Sequence, residues 1–442
     1  VNHHLFFADM ALKEEGFGEL LPGANAVIFD EAHQLAETAT SFFGERISHR
    51  QLQEWAEDTI AEHLTDAPDH KPLQQGVDQL LKAVADFRLA LDGPLGRYPW
   101  REVSEKSALK EAIERLRVNI EALTLSLKAV AERGKGLEGC AVRGTELLDR
   151  FQRLTGVAPE GQIHWFDLHK SGFSIHHTPL EIRETFQSAM EGRNCGWIFT
   201  SATLTVGERF DHFLREFGIE TAETAHWESP FDFQQQALFF HPKGLPQPSA
   251  PNFGEAMMRQ MVPVIEASQG RTFLLFTSHK ALRGAAQFLR EQGVEFPLLV
   301  QGESPRSQLL ERFRRLGNAV LLGASSFWEG VDVRGEALSC VIIDKFPFAS
   351  PGDPVLQARI QALNSAGRNA FMELQLPRAV IALRQGAGRL IRDVEDRGVF
   401  VVCDPRLLKK QYGHTFLNSL PDMARTREIE QVQQFFAPPG GG

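Results

Sequence analysis

The sequence predicts an α/β protein with two α/β domains, the first of which is interrupted by a helical insertion. Three observations lead to this prediction. Short apolar runs end in polar or acidic residues, as buried parallel strands do. From residue 236 to residue 436, such runs alternate with helical patterns. Between residues 46 and 175, apolar residues instead recur every three or four positions, which is the spacing of amphipathic helices.

Composition and charge exclude several classes of protein. Of the 442 residues, 43% are hydrophobic and 24% are charged, as in a globular protein rather than a disordered one. There is no apolar run of about 18 residues, so we expect no membrane span. The four cysteines stand far apart, which predicts reduced thiols in a cytoplasmic protein. The net charge of −10 is concentrated in the first 70 residues, so nucleic-acid binding elsewhere is not excluded.

The first domain starts with residues 1–45, where the apolar run Ala26–Phe29 leads into the tetrapeptide Asp30–His33. An apolar strand that ends in Asp-Glu is the Walker B arrangement of nucleotide hydrolases. In that arrangement, Asp30 holds Mg²⁺ and Glu31 is the base that activates the attacking water. The alternative is an acidic strand end that caps the next helix.

The insertion, residues 46–175, contains two long helical patterns separated by the helix-breaking stretch Asp92–Gly96. Each pattern forms one apolar stripe, which predicts a pair of long helices packed along their stripes. The stripes are therefore core rather than a cofactor site. Their residues are Leu73, Val77, Leu80, Val84, Phe87 and Leu91 in the first, and Leu109, Ile113, Leu116, Ile120, Leu123, Leu127 and Val130 in the second.

Residues 176–235 return to the first domain with a strand at Trp197–Thr200 that is followed by hydroxyl side chains. Residues 236–436 form the second domain, and residues 437–442 a disordered tail. Alternating strands and helices predict a parallel sheet covered by helices. The predicted strands of this sheet are Thr272–Phe276, Phe296–Val300, Ala319–Gly323, Leu338–Asp344 and Val399–Cys403.

The second domain also contains the stretch Gln385–Arg392, with two arginines three residues apart. On a helix, Arg389 and Arg392 would share one face, one turn after Gln385. Two guanidinium groups on one face can stabilise the charge of a transferring phosphoryl group, which is the role of an arginine finger. The alternative is a solvated basic helix face.

Five motifs come in the order of motifs II to VI of superfamily 2 helicases. Their details resemble the XPD/DinG group of iron–sulfur DNA helicases, as do FPF at 346–348 and NHHL at 2–5. The ending at residues 412–428 is most similar to the bacterial YoaA branch. The five motifs are DEAH at 30–33, TSATL at 200–204, FTSHKAL at 276–282, SSFWEGVDVRG at 325–335 and QGAGRLIR at 385–392.

The resemblance implies two RecA-like domains of the P-loop NTPase type, the first incomplete, with an inserted Arch-like helical domain. It also implies a role for each matching residue. The implied catalytic residues are Glu31, Arg389 and Arg392, and the implied Mg²⁺ ligand is Asp30. Binding of ATP falls to Asp30, His33, Gln385, Gly388, Glu329, Gly330 and Asp332, and coupling or DNA contact to Thr200, Ser201, Thr203, Ser278 and Trp328.

Each weaker assignment has a structural alternative. The hydroxyls of Thr200, Ser201 and Thr203 are also typical of strand ends that cap a helix. Glu329 and Asp332 also fit a solvated acidic turn, and Trp328 fits a core position as well as a base-stacking one.

The implied activity is ATP-dependent helicase translocation on single-stranded or forked DNA, 5′→3′, in DNA repair or replication-fork rescue. The YoaA resemblance further implies a 4Fe–4S cluster and a replisome partner such as the chi subunit of DNA polymerase III. The sequence has no G-x-x-x-x-G-K-[ST] phosphate loop. We therefore expect the C-terminal portion of a longer helicase, with that loop and the cluster ligands preceding residue 1. Two alternatives are a catalytically inactive binding module and the helicase part of a helicase–nuclease fusion.

Overall fold

The computed structural model describes residues 1–14, 20–191, 193–207, 209–324, 327 and 336–437, without the side chains of residues 11–14. The predicted tail after Ala437 and the predicted site residues Trp328, Glu329, Gly330 and Asp332 lie outside these ranges. No helix in the described ranges is long and apolar enough to cross a membrane. The chain forms two compact units: residues 1–200, 215–219 and 350–370 make the first, and residues 201–214, 220–349 and 371–442 the second.

A small parallel sheet in the first unit carries the DEAH tetrapeptide. Strand β1, Ala26–Phe29, pairs in parallel with strand β6, Gly196–Phe199. The sequence predicts a buried strand here, but Ile28 and its register partner Ile198 are 65% and 48% exposed. That prediction is wrong for these side chains because the described helices cover only one face of the strand pair. Helices α1, His3–Glu14, α2, Leu35–Phe42, and α7, Arg183–Glu191, belong to this part of the unit.

The insertion contains the predicted helical layer and confirms both apolar stripes. Every stripe residue is buried except Ile113, which is partly buried against the same core. The two predicted helices pack against each other, and two further helices complete the layer. The four helices are α3, His49–Asp66, α4, Pro72–Ala90, α5, Ser107–Lys128, and α6, Lys135–Thr155.

An antiparallel sheet is the part of the insertion that the helical prediction for residues 46–175 misses. Its strand order is β2-β5-β4-β3, and Phe166 and Ile175 on its inner face join the core of the helical layer. The pattern is easily missed because β5 is buried on both faces and lacks strict alternation. The strands are β2, Glu45–Ser48, β3, Gly96–Pro99, β4, Gln162–His169, and β5, Gly172–Pro179.

The second unit is built on a parallel sheet with strand order β13-β7-β12-β11-β8-β10-β9. The five predicted strands are confirmed to within two residues at each end. Strand β6 does not belong to this sheet, because it pairs with β1 in the first unit. Strand β13, at one edge of the sheet, and its neighbour β7 were not predicted. The strands after β6 are β7, Ala237–Phe240, β8, Thr272–Leu275, β9, Leu298–Val300, β10, Val320–Gly323, β11, Cys340–Ile343, β12, Gly398–Val402, and β13, Ala424–Thr426.

Helices cover both faces of this sheet, so successive strand residues enter two separate cores. Phe273 and Leu275 face one core, whereas Leu274 faces the other. This arrangement explains why the strands are continuous apolar runs. The helices after α7 are α8, Asp211–Phe217, α9, Phe233–Gln236, α10, Phe253–Ala267, α11, His279–Glu291, α12, Arg306–Leu316, α13, Pro354–Ser365, α14, Leu376–Ala387, α15, Arg406–Lys409, α16, Gly413–Ser419, and α17, Ile429–Phe436.

Helix α13 lies within the predicted second domain but packs in the first unit. Arg359 donates hydrogen bonds to the Leu180 carbonyl and to Thr40 Oγ1, both at 3.1 Å. Asp353, just before the helix, accepts a hydrogen bond of 3.0 Å from Arg97 of β3. These contacts are made with residues about 180 to 320 positions away, so no local sequence pattern indicates them.

Candidate active site

The DEAH tetrapeptide meets the TSATL motif at the carboxyl edge of the small sheet. Phe29 and Phe199 are register partners in parallel strands, so the residues that follow them are neighbours. Thr200 Oγ1 lies 3.2 Å from both the Phe29 carbonyl and Asp30 Oδ1. The backbone continues the pairing, since the Ala32 N–H donates to the Thr200 carbonyl at 2.9 Å. The structure therefore brings predicted site residues Asp30 and Thr200 together.

Glu31 has an unusual backbone conformation for a residue with a side chain. Its φ of 52° and ψ of 43° place it in the left-handed region. This conformation costs a non-glycine residue roughly 1–2 kcal/mol, and it clusters at functional sites. The turn leaves the Glu31 carboxylate 55% exposed, with Oε2 3.3 Å from Nδ1 of the largely buried His33. His33 thus holds an otherwise exposed carboxylate from one side.

Asp30 fits the hard oxygen ligand that Mg²⁺ prefers. It is exposed at the strand end, and one of its oxygens is already oriented by Thr200. Mg²⁺ commonly takes one or two protein carboxylates and completes its shell with phosphate oxygens and water. One correctly oriented carboxylate is therefore sufficient for a metal that arrives with a nucleotide.

The described cysteines do not fit an iron–sulfur cluster. In the described part of the chain, no group of three or more His, Cys, Asp or Glu side chains is placed to hold a metal ion. Burial raises the pKa of Cys340 to about 12, which opposes the thiolate form that such a cluster requires.

The rest of the TSATL motif is ordered by its own hydroxyls. Ser201 Oγ accepts a hydrogen bond of 3.1 Å from the Thr203 N–H and lies 3.4 Å from Thr203 Oγ1. Thr203 is buried, at 7% exposure. Thr200 is the last residue of the first unit in this part of the chain, and Ser201 begins the second. The motif therefore spans a boundary between the units along the chain.

Ser278 begins a helix at the carboxyl end of β8. Its Oγ accepts a hydrogen bond of 3.2 Å from the Ala281 N–H and caps α11. This is the structural role that a hydroxyl at a strand end most often has. Whether Ser278 also contacts DNA stays a prediction.

Asp344 is a buried carboxyl group that the sequence prediction did not select. It follows β11 and is 2% exposed. Its Oδ1 accepts hydrogen bonds from the N–H groups of Thr277 at 3.0 Å and Lys345 at 2.7 Å. Burial raises the pKa of Asp344 to about 7. The side chain fixes the loop that precedes Ser278, so it supports the FTSHKAL motif.

Asp404, which follows β12, holds a neighbouring loop as Asp344 does. It is fully buried, and it accepts hydrogen bonds from the Phe346 N–H at 2.9 Å and from Arg406 Nη2 at 2.6 Å. The Arg406 guanidinium also lies over the rings of Phe346 and Phe348, 5.6 and 5.4 Å from their centroids. Asp404 and Arg406 therefore hold the FPF motif next to the end of β12. A carboxylate directly after an apolar strand was the signal that singled out Asp30, and it marks Asp344 and Asp404 equally.

The two candidate arginine fingers do not share a helix face, so that prediction is wrong. Helix α14 includes Gln385 but ends at Ala387, and Arg389 and Arg392 follow it in a turn and in irregular backbone. Beyond the helix, the Asp396 carboxylate accepts hydrogen bonds from the Arg392 N–H at 2.8 Å and the Asp393 N–H at 2.9 Å. A helix would have given that N–H to a backbone carbonyl.

Gly388 caps this helix, with its N–H 2.8 Å from the Arg384 carbonyl. Arg384 itself was not predicted as a site residue. Its guanidinium donates to the backbone of the TSATL region, at Ala202 and Thr205. Sequence reasoning had no signal for it, because its partners lie about 180 residues away.

Comparisons with known proteins show the family and the fold of the chain. The helicase C-terminal domain family matches residues 261–423. The ATP-dependent DNA helicase YoaA of Haemophilus influenzae is 44% identical over 436 residues, which are 98% of this chain and 68% of that protein. The ATP-dependent helicase DinG of Mycobacterium tuberculosis is 32% identical over 449 residues, 98% of this chain and 65% of that protein. A solved structure of apo XPD has the same fold, with a TM-score of 0.62 at 16% identity over 96% of this chain and 81% of that one.

Proposed function

The chain belongs to the YoaA branch of the XPD/DinG family of ATP-dependent DNA helicases, and we propose that it couples ATP hydrolysis to 5′→3′ movement along single-stranded DNA. The family that five ordered motifs predicted is confirmed. The direction of movement and a role in DNA repair or fork rescue are supported by the sequence resemblance alone. Bacterial DNA lies in the cytoplasm, so the proposal implies action there.

The observation that best supports the proposal is the contact between Asp30 and Thr200. A nucleotide-dependent motor needs its metal carboxylate linked to a segment that responds to hydrolysis. Thr200 Oγ1 is 3.2 Å from Asp30 Oδ1, and the Ala32 N–H pairs with the Thr200 carbonyl. The two motifs are thus joined by side chain and backbone at one sheet edge.

The proposed chemistry divides between the two carboxylates. Asp30 would hold Mg²⁺, which neutralises charge on the phosphates when it is bound. Glu31 would accept a proton from the attacking water, since its exposed carboxylate is directed into solvent by the left-handed turn. His33 would keep that carboxylate in place through its 3.3 Å contact.

The arginines and the remaining family residues stay proposals. Arg389 and Arg392, which follow the end of α14, would stabilise the transferring phosphoryl group. Gln385 and Gly388 would contribute to nucleotide binding from the end of α14. The same role is proposed for Glu329, Gly330 and Asp332, and DNA stacking for Trp328, on the family resemblance alone.

DNA is the proposed partner, in single-stranded or forked form. The resemblance to the YoaA branch is the sole support for a 4Fe–4S cluster and for the chi subunit of DNA polymerase III as a partner.

Glu31→Gln tests the proposal in the natural gene product, expressed from its own start codon. The amide keeps the size of the side chain but cannot accept a proton. We expect DNA-stimulated ATP turnover to fall by at least about 100-fold while MgATP binding is retained. Turnover and nucleotide affinity are measured on the same preparation.

Glu37→Gln is the matched control, since Glu37 is exposed in the first turn of α2. It should leave turnover unchanged. Arg389→Ala should lower kcat by about 1000-fold, and Arg389→Lys should restore little because an ammonium lacks the planar fork. Normal turnover in Glu31→Gln would remove Glu31 from the base role.

A further inference from the structure

Arg384 is a partly buried arginine on α14 whose guanidinium donates hydrogen bonds to neutral oxygens of the TSATL region. Its Nη1 donates to the Thr205 carbonyl at 2.8 Å and to Thr205 Oγ1 at 3.0 Å. Its Nη2 donates to the Ala202 carbonyl at 3.0 Å. All three residues belong to the second unit. The guanidinium therefore spans two carbonyl groups that are three residues apart in the chain.

The energetics of this contact are unusual. Within the described part of the chain, Arg384 has no carboxylate partner, and burial lowers its pKa. Partial burial of a charge without an opposite charge costs free energy, and the hydrogen bonds to the two carbonyl groups offset part of that cost. A guanidinium suits this position because it stays charged and presents its donors in a rigid planar fork. A lysine would reach one carbonyl but could not bridge both.

The segment that Arg384 holds is also bound at its other end. We call residues 200–207 the crossing segment, because the peptide bond from Thr200 to Ser201 passes from the first unit to the second. At its start, Thr200 is hydrogen-bonded to Asp30 and Phe29 in the first unit. At its end, the Gly207 N–H donates to Ser419 Oγ at 3.1 Å in the second unit. Arg384 acts between these two attachments.

Arg384 is also connected to the proposed phosphate-binding arginines. It precedes Gln385 in α14. Its own carbonyl accepts a hydrogen bond from the N–H of Gly388, the residue that caps the C-terminal end of the helix. A displacement at the end of α14 would therefore move the carbonyls of Ala202 and Thr205 through the guanidinium. Thr200, two residues before Ala202, would transmit that displacement to Asp30.

We propose that Arg384 is a positioning residue that links the end of α14 to the crossing segment and so couples ATP hydrolysis to movement on DNA. The inference rests on the proposed helicase function. Arg384 touches neither nucleotide nor DNA in this mechanism. Its loss should therefore spare hydrolysis and impair the use of hydrolysis for strand separation.

Arg384→Gln and Arg384→Lys in the natural gene product test the inference. Both variants should fold, because Leu204 and Thr205 remain buried and Gly207 keeps its bond to Ser419. In Arg384→Gln we expect kcat for DNA-stimulated hydrolysis within about 3-fold of wild type, but at least about 5-fold more ATP consumed per base pair unwound. Arg384→Lys should consume an amount of ATP per base pair between those of wild type and Arg384→Gln, since the lysine keeps one hydrogen-bond donor for a carbonyl group.

Two further variants make the comparison specific. Arg259→Gln makes the same change at a 70% exposed arginine on α10 and should leave the ratio of ATP to base pairs unchanged. Thr205→Val removes Oγ1 but keeps the carbonyl, so it should raise the ratio slightly. Hydrogen exchange should show faster exchange at residues 203–207 in Arg384→Gln and unchanged protection in β8 and β11.

The outcomes separate this inference from the proposed function. An unchanged ratio in Arg384→Gln, with an active wild-type protein, overturns the coupling role and leaves the helicase function intact. Equal losses of hydrolysis and unwinding also overturn it, because they indicate a general structural role. A wild-type protein without DNA-stimulated hydrolysis overturns the proposed function itself. Unchanged exchange at residues 203–207 would show that Arg384 does not hold the segment.

Discussion

Buried carboxyl groups hold the loops at the carboxyl edge of the second sheet. Asp344 and Asp404 each follow an apolar strand and accept backbone N–H groups from the next loop. Their surroundings differ, because Asp404 is paired with Arg406 whereas burial raises the pKa of Asp344 to about 7. The raised pKa of Asp344 makes its contribution to stability depend on pH.

Asp344→Asn should remove a pH dependence from the second unit. The folded state keeps Asp344 protonated up to about pH 7, whereas the unfolded chain ionises it near the ordinary aspartate pKa of 3.8. Folding thus takes up a proton between these values, so the contribution of Asp344 is lost as pH rises toward 7. The loss is roughly 4 kcal/mol at most. Denaturant unfolding of both proteins from about pH 5 to about pH 8 measures the difference in slope.

The amide that this substitution introduces can still accept both N–H groups, so the variant should be at least as stable as wild type near pH 8. Asp422→Asn, at an exposed aspartate of the same unit, should leave the slope unchanged. Parallel curves for wild type and Asp344→Asn would contradict the assignment of this titration to Asp344.

At the scale of elements, the antiparallel sheet of the insertion stacks histidines on tryptophans. The Trp165 and His176 rings are parallel with centroids 4.0 Å apart, and Trp100 stacks on His164 at 4.7 Å. Burial lowers the pKa of His164 and His176 to about 3. Both rings are therefore neutral at neutral pH, and protonation would place a charge inside the sheet.

Acid should destabilise the first unit through these histidines. Their folded-state pKa lies below the unfolded value, so the unfolded chain binds more protons below about pH 6.5. We expect each to cost about 1–2 kcal/mol of stability between about pH 7 and about pH 5, after allowance for partial solvent exposure. His176→Phe keeps the stacking on Trp165 and should show a correspondingly shallower acid dependence in denaturant unfolding.

His4→Phe is the control for that measurement. His4 is an exposed histidine on α1 of the same unit, away from the antiparallel sheet, so its replacement should leave the acid dependence of His176 unchanged. If His176→Phe keeps the full acid dependence, burial of His176 in the sheet is not its cause.

For the whole molecule, the two units have separate hydrophobic cores. The core of the insertion lies within the first unit, and the two cores beside the parallel sheet lie within the second. Cooperative unfolding follows shared cores, so each unit is expected to lose its protection independently.

Leu116→Asp should therefore unfold the insertion without unfolding the second unit. Leu116 is fully buried in the stripe of α5, and an unpaired charge there costs at least about 3 kcal/mol. Hydrogen exchange should show lost protection in α4 and α5 and retained protection in β8 and β11. Leu125→Asp makes the same change at a 61% exposed position of the same helix and should be silent. Loss of protection in both units together would contradict independent cores.

Local patterns in the sequence determined much of this protein. The apolar stripes of α4 and α5, the strands of the second sheet and the acidic end of β1 depend on which residues are buried within a few positions of one another. The order of the motifs identified the family. The same patterns gave wrong predictions where a side chain competes with the backbone for a hydrogen bond. Arg392 was predicted to lie on a helix, but its N–H donates to the Asp396 carboxylate.

The tertiary structure alone decided which elements become neighbours. Helix α13 joins the first unit through Arg359, and Arg384 finds its acceptors at Ala202 and Thr205. The exposure of Ile28 follows from the coverage of its sheet rather than from its own strand. A sequence pattern specifies which face of a helix or strand is apolar. Many different apolar surfaces of the protein could pack against that face. The packing of the whole chain decides which surfaces meet, because burial and hydrogen bonding stabilise a contact however far apart its two residues are in the sequence.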